Sequence, residues 1–143
     1  MPQVDFYILD KEAADARLTV ACRIAEKAMR SELKTWILAE DGPQASRLND
    51  LLWTFSQNSF VPHRIANRDD SAASSPEPVL IGTSEPATRF DVLINLSSAM
   101  PATPDNFSRI AELIDGNAER RARGREHFRA YRAHGCSMDT HNL

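Results

Sequence analysis

Apolar residues recur along the chain in two patterns, short continuous runs and longer stretches with helical spacing. The short runs predict buried strands, because apolar runs of about four to eight residues bounded by turn signals are typical of a parallel sheet. The predicted strands cover 4–9, 35–40, 59–65, 79–82 and 90–96. The third is expected at a sheet edge or in a loop, since Pro62 cannot donate a hydrogen bond to a neighbouring strand.

The stretches with helical spacing predict amphipathic helices between and after these strands. The predicted helices cover 14–33, 43–55, 104–115 and 117–134. Asn117 is a typical N-cap for the last helix, and Gly135 is a typical residue to end it. Strands that alternate with helices predict an α/β fold, a single-domain Rossmann-like and mostly parallel sheet with helices on both faces.

The composition fits one domain over residues 1–143, with a polar surface loop at 66–78. No apolar run is long enough to cross a membrane, since that requires about 18 residues. The first residues lack the basic segment of a secretory signal, and two cysteines are too few for a disulfide framework. We therefore expect a cytoplasmic protein.

Motifs that mark nucleotide, metal or catalytic sites are missing from the sequence. No glycine-rich phosphate loop follows a predicted strand, no zinc-binding spacing occurs, and the acidic residues are scattered singly. His127 and His134 are expected on the surface of the last helix without a special role. The sequence thus predicts no cofactor, no metal and no catalysis, although a small α/β enzyme with an anion-binding active site remains an alternative.

One candidate binding surface lies on and after the second predicted helix. Its core-facing stripe consists of Leu48, Leu51, Leu52 and Phe55. Trp53 falls about 150° away from that stripe, and Phe60, Val61 and Pro62 follow shortly afterwards. Either the helix is buried on two faces or covered by a loop, or these residues form an apolar patch for a protein partner, since exposed aromatic residues are typical anchors.

Positive charge is concentrated in the last predicted helix. Residues 119–143 hold six arginines and three acidic residues, a balance of +3, whereas residues 1–118 carry −6 and the whole chain −3. A protein that coats long nucleic acid is usually basic overall. A local basic site on an acidic body suits one short anionic ligand better.

An arc of about 100° on this helix holds four arginines, one aromatic ring and no acidic residue. Its members are Arg121, Arg125, Phe128, Arg129 and Arg132. The arginines repel one another unless a ligand neutralises them, although the helix dipole also favours Arg129 and Arg132 near the C-terminus. We predict a site for a ligand that carries a carboxylate or phosphate and an apolar group. Direct binding of single-stranded nucleic acid is the alternative.

Residues beside the arc complete this prediction. The bordering residues are Ala118, Ala122 and Ala133, which are small enough to let the helix pack closely on the body. Arg120 and Arg123 fall outside the arc and are expected to be dispensable for binding.

Four segments of the chain resemble the chi subunit family of bacterial DNA polymerase III. They are FYIL, LLWTFSQNSFVPHRI, FDVLINL and REHFRAYRAHG, in the order expected for the family and spread over nearly the whole chain. The W…SFVPH block and the R-x-x-[FY]-[KR]-x-Y-[KR] helix are the most specific parts of the resemblance.

The resemblance implies a non-catalytic subunit of the replication machinery with two protein partners. Such a subunit pairs with the psi subunit, which connects it to the clamp loader, and it binds the acidic C-terminal tail of single-stranded DNA-binding protein. It is therefore expected to contact DNA only indirectly and to bind no membrane. That tail ends in two aspartates, Ile, Pro and Phe, and arginines beside an aromatic ring match its chemistry.

Motif positions carry these roles onto residues of this chain. Tail binding is implied for Arg121, Arg125, Phe128, Arg129, Arg132 and Gly135. Psi binding is implied for Trp53, Phe60, Val61 and Pro62. The family typically has Tyr where this chain has Phe128, so a hydrogen bond from that hydroxyl is absent here while a ring contact can remain.

Overall fold

Seven parallel strands form one open sheet in the computed structural model, which describes residues 2–10, 12–67 and 69–143. The elements in chain order are β1 Gln3–Ile8, α1 Ala16–Arg30, β2 Thr35–Leu38, α2 Gly42–Thr54, β3 His63–Ile65, β4 Val79–Gly82, β5 Phe90–Asn95, a short 3₁₀ helix Pro104–Asn106, β6 Phe107–Ile114, α3 Ala118–His134 and β7 Ser137–Asn142. The strand order is β3-β4-β2-β5-β6-β1-β7. This architecture confirms the predicted α/β fold, and β3 lies at a sheet edge as expected.

Two apolar layers, one on each face of the sheet, form the core. α1 and α2 pack on one face, where they cover Ile37 and Ile94, and α3 packs on the other, where Tyr131 joins Trp36 and Phe6. Strands covered on both sides need apolar residues at successive positions, which is why they appear as continuous runs in the sequence. The prediction of helices on both faces is therefore confirmed.

Asn117 and Gly135 begin and end α3 as predicted, and α2 has a cap that was not predicted from the sequence. The Asp41 carboxylate caps α2 by accepting from the Gln44 amide at 2.9 Å, and the Asn117 side chain caps α3 by accepting from the Arg120 amide at 3.0 Å. Gly135 ends α3 in the left-handed conformation, with φ of 91°, which a residue with a Cβ rarely adopts. The predicted loop at 66–78 contains no helix or strand among its described residues, and Arg68 lies outside them.

The predicted helix at 104–115 is wrong, because most of this segment is the strand β6. β6 lies between β5 and β1, with Ile110 opposite both Leu93 and Val4. Residues 110–114 are all buried, so the polar–apolar alternation of a half-exposed strand is missing. The remaining apolar spacing fits a helix equally well, and only the pairing with two distant strands selects the extended form.

A strand that the sequence did not predict, β7, forms the sheet edge beside β1. It pairs in parallel with β1 from Gln3 opposite Ser137 to Ile8 opposite Asn142. Its residues are mostly polar and exposed, so backbone hydrogen bonds rather than apolar burial hold it in place. A hydrophobic pattern cannot reveal such a strand.

A buried polar network fixes α3 to the centre of the sheet. The carboxylate of Glu112 on β6 accepts hydrogen bonds from the Tyr131 hydroxyl at 2.7 Å and the Asn95 amide at 2.8 Å, and His127 Nδ1 lies 3.2 Å away. The hydrogen bond to Glu112 raises the pKa of His127 above its usual value, although burial opposes the shift. The expectation of a surface His127 is therefore wrong, and Glu112 is an acidic residue in a buried setting that the sequence did not indicate.

Gly124 allows α3 to approach β6 closely. A Cβ at this position would lie 2.2 Å from Cδ1 of Ile114, so a larger residue would displace that side chain. The expectation that small alanines face the body is wrong, because the three of them are exposed. They are Ala118, Ala122 and Ala133. The side of α3 that faces the sheet carries Gly124, His127 and Tyr131. The distribution of charged residues on a helical wheel does not identify that side, because none of these three is a typical apolar core residue.

The raised pKa of His127 predicts a pH-dependent contribution to stability. A group whose pKa is higher in the folded than in the unfolded chain stabilises the fold fully below its unfolded value, and this stabilisation is lost as the pH rises through the folded value. We expect the free energy of unfolding of the wild-type chain, relative to that of His127→Gln, to fall as the pH rises from about 6.5, the usual pKa of histidine, through the raised folded value. Urea denaturation across this range measures the difference.

The matched control for this experiment is His134→Gln, which changes an exposed histidine of the same helix. His134 Nε2 lies 3.2 Å from a carboxylate oxygen of Asp105, but both side chains are exposed and such pairs contribute little to stability, so this variant should follow the wild-type pH profile. A difference between wild type and His127→Gln that stays constant or grows with rising pH would contradict the role assigned to the contact between His127 and Glu112.

Candidate functional site

The four arginines of the predicted arc are exposed along α3. Within the described parts of the chain, no carboxylate lies within 4.0 Å of their guanidinium groups. They are Arg121, Arg125, Arg129 and Arg132. Arg121 Nε donates instead to the carbonyl of Asp115 at 3.1 Å, which orients this side chain at the first turn of the helix. The predicted cluster of positive charge without an acidic neighbour is therefore present.

Phe128 separates the charged surface of α3 from the core. It is partly buried, and its ring packs against Phe6 on β1 with 5.4 Å between ring centroids. Phe6 also contacts Tyr131, edge to face, at 6.1 Å. The aromatic residue of the arc is thus held in a fixed position by the sheet and presents only part of its ring to solvent.

An apolar cavity of about 200 Å³ lies beside Phe128, between α3 and the strands β1, β6 and β7. Its lining consists of Phe6, Ile8, Ile114, Arg121, Gly124, Arg125, Phe128 and Thr140. The arginines are the charged members of this lining. Because both are exposed while Phe6, Ile8 and Ile114 are buried or half-buried, positive charge sits at the outer rim and apolar surface inside. The sequence predicted the charge and the ring, but the cavity depends on β7, which it did not predict.

The remaining predicted residues of this surface lie further along α3. Arg129 and Arg132 are exposed beyond the cavity, and Gly135 is exposed at the helix end. Together with the cavity they form a surface that runs from the first turn of α3 to its C-terminus. We call this surface the basic cavity surface.

The two arginines outside the arc face another side of α3. Arg120 forms a bidentate ion pair with the buried carboxylate of Asp115, with distances of 2.8 and 2.9 Å. Burial acts to raise the pKa of Asp115, but the hydrogen bonds from Arg120 and the Asn117 amide hold it below its usual value. Arg120 therefore stabilises the start of α3, a role that the sequence did not indicate, whereas Arg123 has no such ion pair among the described residues.

The second candidate surface lies near β3, at the opposite edge of the sheet from the basic cavity surface. Trp53 is 51% exposed and Phe60 is 65% exposed, and their ring centroids lie 5.6 Å apart. Pro62 is partly exposed beside them. The alternative in which α2 is buried on two faces or covered by a loop is thereby excluded. Val61 is fully buried, so its assignment to a partner-facing surface is wrong.

His63 holds this aromatic pair in place. Its ring lies 4.5 Å from that of Trp53, and its Nδ1 and Nε2 atoms lie 2.6 and 2.9 Å from the carbonyl oxygens of Val61 and Asn49. The histidine thus connects the end of α2 to the segment that carries Phe60. We call the exposed residues Trp53, Phe60 and Pro62 the aromatic patch.

Membrane-spanning helices and metal-binding clusters are both absent from the described residues. No helix there is long and apolar enough to cross a membrane. In the same residues, no group of three or more His, Cys, Asp or Glu side chains is arranged to hold a metal ion.

The chain has the same fold as part of a protein of known structure, T4 UvsW. The TM-score is 0.69, the match covers 99% of this chain and 41% of that protein, and the sequences are 8% identical. At this low identity the similarity shows the fold alone.

Sequence comparisons connect the chain to proteins of DNA replication. It is 40% identical to DNA polymerase III subunit chi of Pseudomonas aeruginosa, over all of this chain and 98% of the relative. The proteins of the same name from Escherichia coli and Haemophilus influenzae are 28% and 29% identical, and each match covers at least 95% of both chains. The family described as DNA polymerase III chi subunit, HolC, matches residues 1–139. The chain belongs to this family of DNA polymerase III subunits.

Proposed function

We propose that this protein is a non-catalytic adaptor of the replicative DNA polymerase that works in the cytoplasm and binds two protein partners. The basic cavity surface binds the acidic C-terminal tail of single-stranded DNA-binding protein, and the aromatic patch binds the psi subunit of the clamp loader. The observation that carries the proposal is the apolar cavity with Arg121 and Arg125 at its rim. It lies beside the sequence motif that most specifically resembles the chi family.

The cavity and its rim match the chemistry of a peptide that ends in phenylalanine. An apolar cavity of about 150 Å³ is large enough for benzene, so one of about 200 Å³ accommodates a phenyl ring. The terminal carboxylate of such a peptide lies close to its last side chain. Arg121 and Arg125 are therefore placed to bind the carboxylate while the ring enters the cavity, and guanidinium groups bind carboxylates with two parallel hydrogen bonds.

The rest of the basic cavity surface suits the acidic residues that precede the terminal phenylalanine. Arg129 and Arg132 are exposed one and two turns further along α3, and neither has a carboxylate partner among the described residues. An acidic peptide would relieve the repulsion among these arginines. Phe128 offers a ring contact only, since it lacks the hydroxyl group that is typical of the family at this position.

The aromatic patch has the properties of a protein-binding anchor. Two large aromatic side chains are exposed next to each other, and such residues supply much of the binding energy in interfaces. The patch and the basic cavity surface lie at opposite edges of one sheet, so two partners can bind at the same time. Linking a weak tail contact to the polymerase assembly raises the local concentration of that assembly on coated single-stranded DNA.

Removing charge from the basic cavity surface should weaken binding of the tail. We expect Arg125→Ala combined with Arg129→Ala to reduce affinity for a fluorescent peptide ending in Asp-Asp-Ile-Pro-Phe by about 10- to 100-fold, since a hydrogen bond to a charged group contributes about 1.5–3 kcal/mol. Added salt should weaken wild-type binding, because much of the contact is ionic. Fluorescence anisotropy measures both effects.

The matched control is Arg123→Ala, which removes an arginine of the same helix that does not line the apolar cavity. It should bind the peptide like the wild type. Unchanged affinity in the double variant would refute the assignment of the site. Tight binding of a bare oligonucleotide with a steep salt dependence would favour the alternative, direct binding of single-stranded nucleic acid.

Removing one aromatic ring from the aromatic patch should separate the two binding activities. We expect Phe60→Ala to lose co-purification with the psi subunit of the same organism while its affinity for the acidic peptide stays within about twofold of wild type. Because Phe60 is largely exposed, its thermal midpoint should change little.

The double arginine variant provides the reciprocal control, since it should keep co-purification with psi. Retention of psi by Phe60→Ala would contradict the assignment of the aromatic patch. Loss of both binding activities in a variant with a lowered thermal midpoint would indicate unfolding, which is why the exposed Phe60 is preferred to Trp53, whose ring contacts His63.

A further inference from the structure

A second cavity, of about 290 Å³, lies on the other side of α3 at the carboxyl edge of the sheet. Its polar lining comes from the ends of β2, β5 and β6 and from the first turns of all three helices. In open α/β sheets, ligands bind in crevices outside the carboxyl ends of the strands. The basic cavity surface makes no use of this cleft, which we call the edge cleft.

Three arginines from two helices face the edge cleft. They are Arg17 of α1 and Arg120 and Arg123 of α3. All three lie near the N-terminal ends of their helices, where the helix dipole disfavours positive charge. The helix dipole therefore does not explain their positions, although the ion pair with Asp115 accounts for that of Arg120.

Arg17 is the most buried of these arginines, and its bonding is incomplete. Its side chain is only 13% exposed, and its nearest carboxylate oxygen, on Asp115, is 3.9 Å away. It reaches the carbonyl oxygens of Leu96 and Leu113 only at 3.5 and 3.4 Å. Burial lowers the pKa of Arg17, and the neighbouring guanidinium group of Arg120 lowers it further. A buried cation whose counterion is already bound by a second arginine is costly, and an anion in the cleft would offset that cost.

Three carboxylates, those of Glu40, Asp41 and Glu112, also line the edge cleft, and each already accepts hydrogen bonds within the protein. The carboxylate of Glu40 accepts from the amide and hydroxyl of Ser98 at 2.6 and 3.0 Å, and that of Asp41 caps α2. Glu112 is occupied by the network that fixes α3, and Asp115 is paired with Arg120. Among the described residues, this leaves Arg17 and Arg123 without a carboxylate at short distance.

We propose that the edge cleft binds a small phosphate-bearing anion between Arg17 and Arg123. A tetrahedral anion with oxygen atoms on several sides fits guanidinium groups that approach from two helices better than a planar carboxylate does. The volume lies at the lower end of the range for small-molecule sites, about 300–1,000 Å³, which suits inorganic phosphate or the phosphate end of a mononucleotide. This site is separate from the tail-binding function proposed above.

Titration with inorganic phosphate tests the edge cleft directly. We expect phosphate, at constant ionic strength set with sodium chloride, to raise the thermal midpoint of the wild-type chain in a saturable way, since a ligand that binds only the folded state stabilises it. Arg123→Gln should weaken this binding by at least about tenfold. Arg30→Gln is the control, because it removes an exposed arginine at the C-terminal end of α1 that lines neither cavity, and it should respond to phosphate like the wild type.

The results of this titration either support or overturn the proposed phosphate site. Saturable binding in Arg123→Gln at wild-type affinity, or a response of the wild type no greater than with chloride alone, would overturn the proposal. Arg17→Gln should also lose phosphate binding, and a far-UV circular dichroism spectrum like that of the wild type would show that each variant is folded. A parallel titration with deoxyadenosine monophosphate identifies the source of the phosphate, since tighter binding than inorganic phosphate indicates a nucleotide and equal or weaker binding indicates the free anion.

Discussion

Glu112 accepts hydrogen bonds from Tyr131 and Asn95 inside the domain, and this buried contact, joined by His127, fixes the rotation of α3 on β6. Gly124 brings the helix close to the strand at the same interface. Once that rotation is set, the direction of every arginine on α3 follows. A buried carboxylate is costly unless it is fully hydrogen-bonded, so the network also specifies one arrangement of the helix rather than several.

The fixed rotation divides the arginines of α3 into groups with different surroundings. Arg121 and Arg125 reach the rim of the apolar cavity, Arg123 faces the edge cleft, and Arg120 pairs with the buried Asp115. The arginines of α3 form one basic segment in the sequence, but in the structure they have several different physical roles. Some of them stabilise the helix start, and the rest are left without a carboxylate partner among the described residues, available for anionic ligands.

The local signals in the sequence predicted much of this fold. Asn117 and Gly135 mark the ends of α3 because capping depends on adjacent residues only. Helical geometry put Trp53 on a different side from the core-facing stripe but left open whether a loop covers it, and the structure shows it exposed. The errors arose where distant residues decide the outcome. β6 is extended because it pairs with β5 and β1, and β7 is held by backbone bonds to β1. The apolar cavity requires β1, β6 and β7 together with α3, so only its charged rim and one ring were predictable.

Backbone amide chemical shifts recorded during titration with the acidic peptide ending in Ile-Pro-Phe test the central claim most directly. If the apolar cavity receives the terminal ring, the largest shifts should occur at Phe6, Gly124, Phe128 and Thr140, which lie on three different elements and meet only at the cavity. The surroundings of Trp53 should remain unchanged. Shifts centred on the aromatic patch, or spread evenly along the exposed arginines without a response from β1 and β7, would contradict the account.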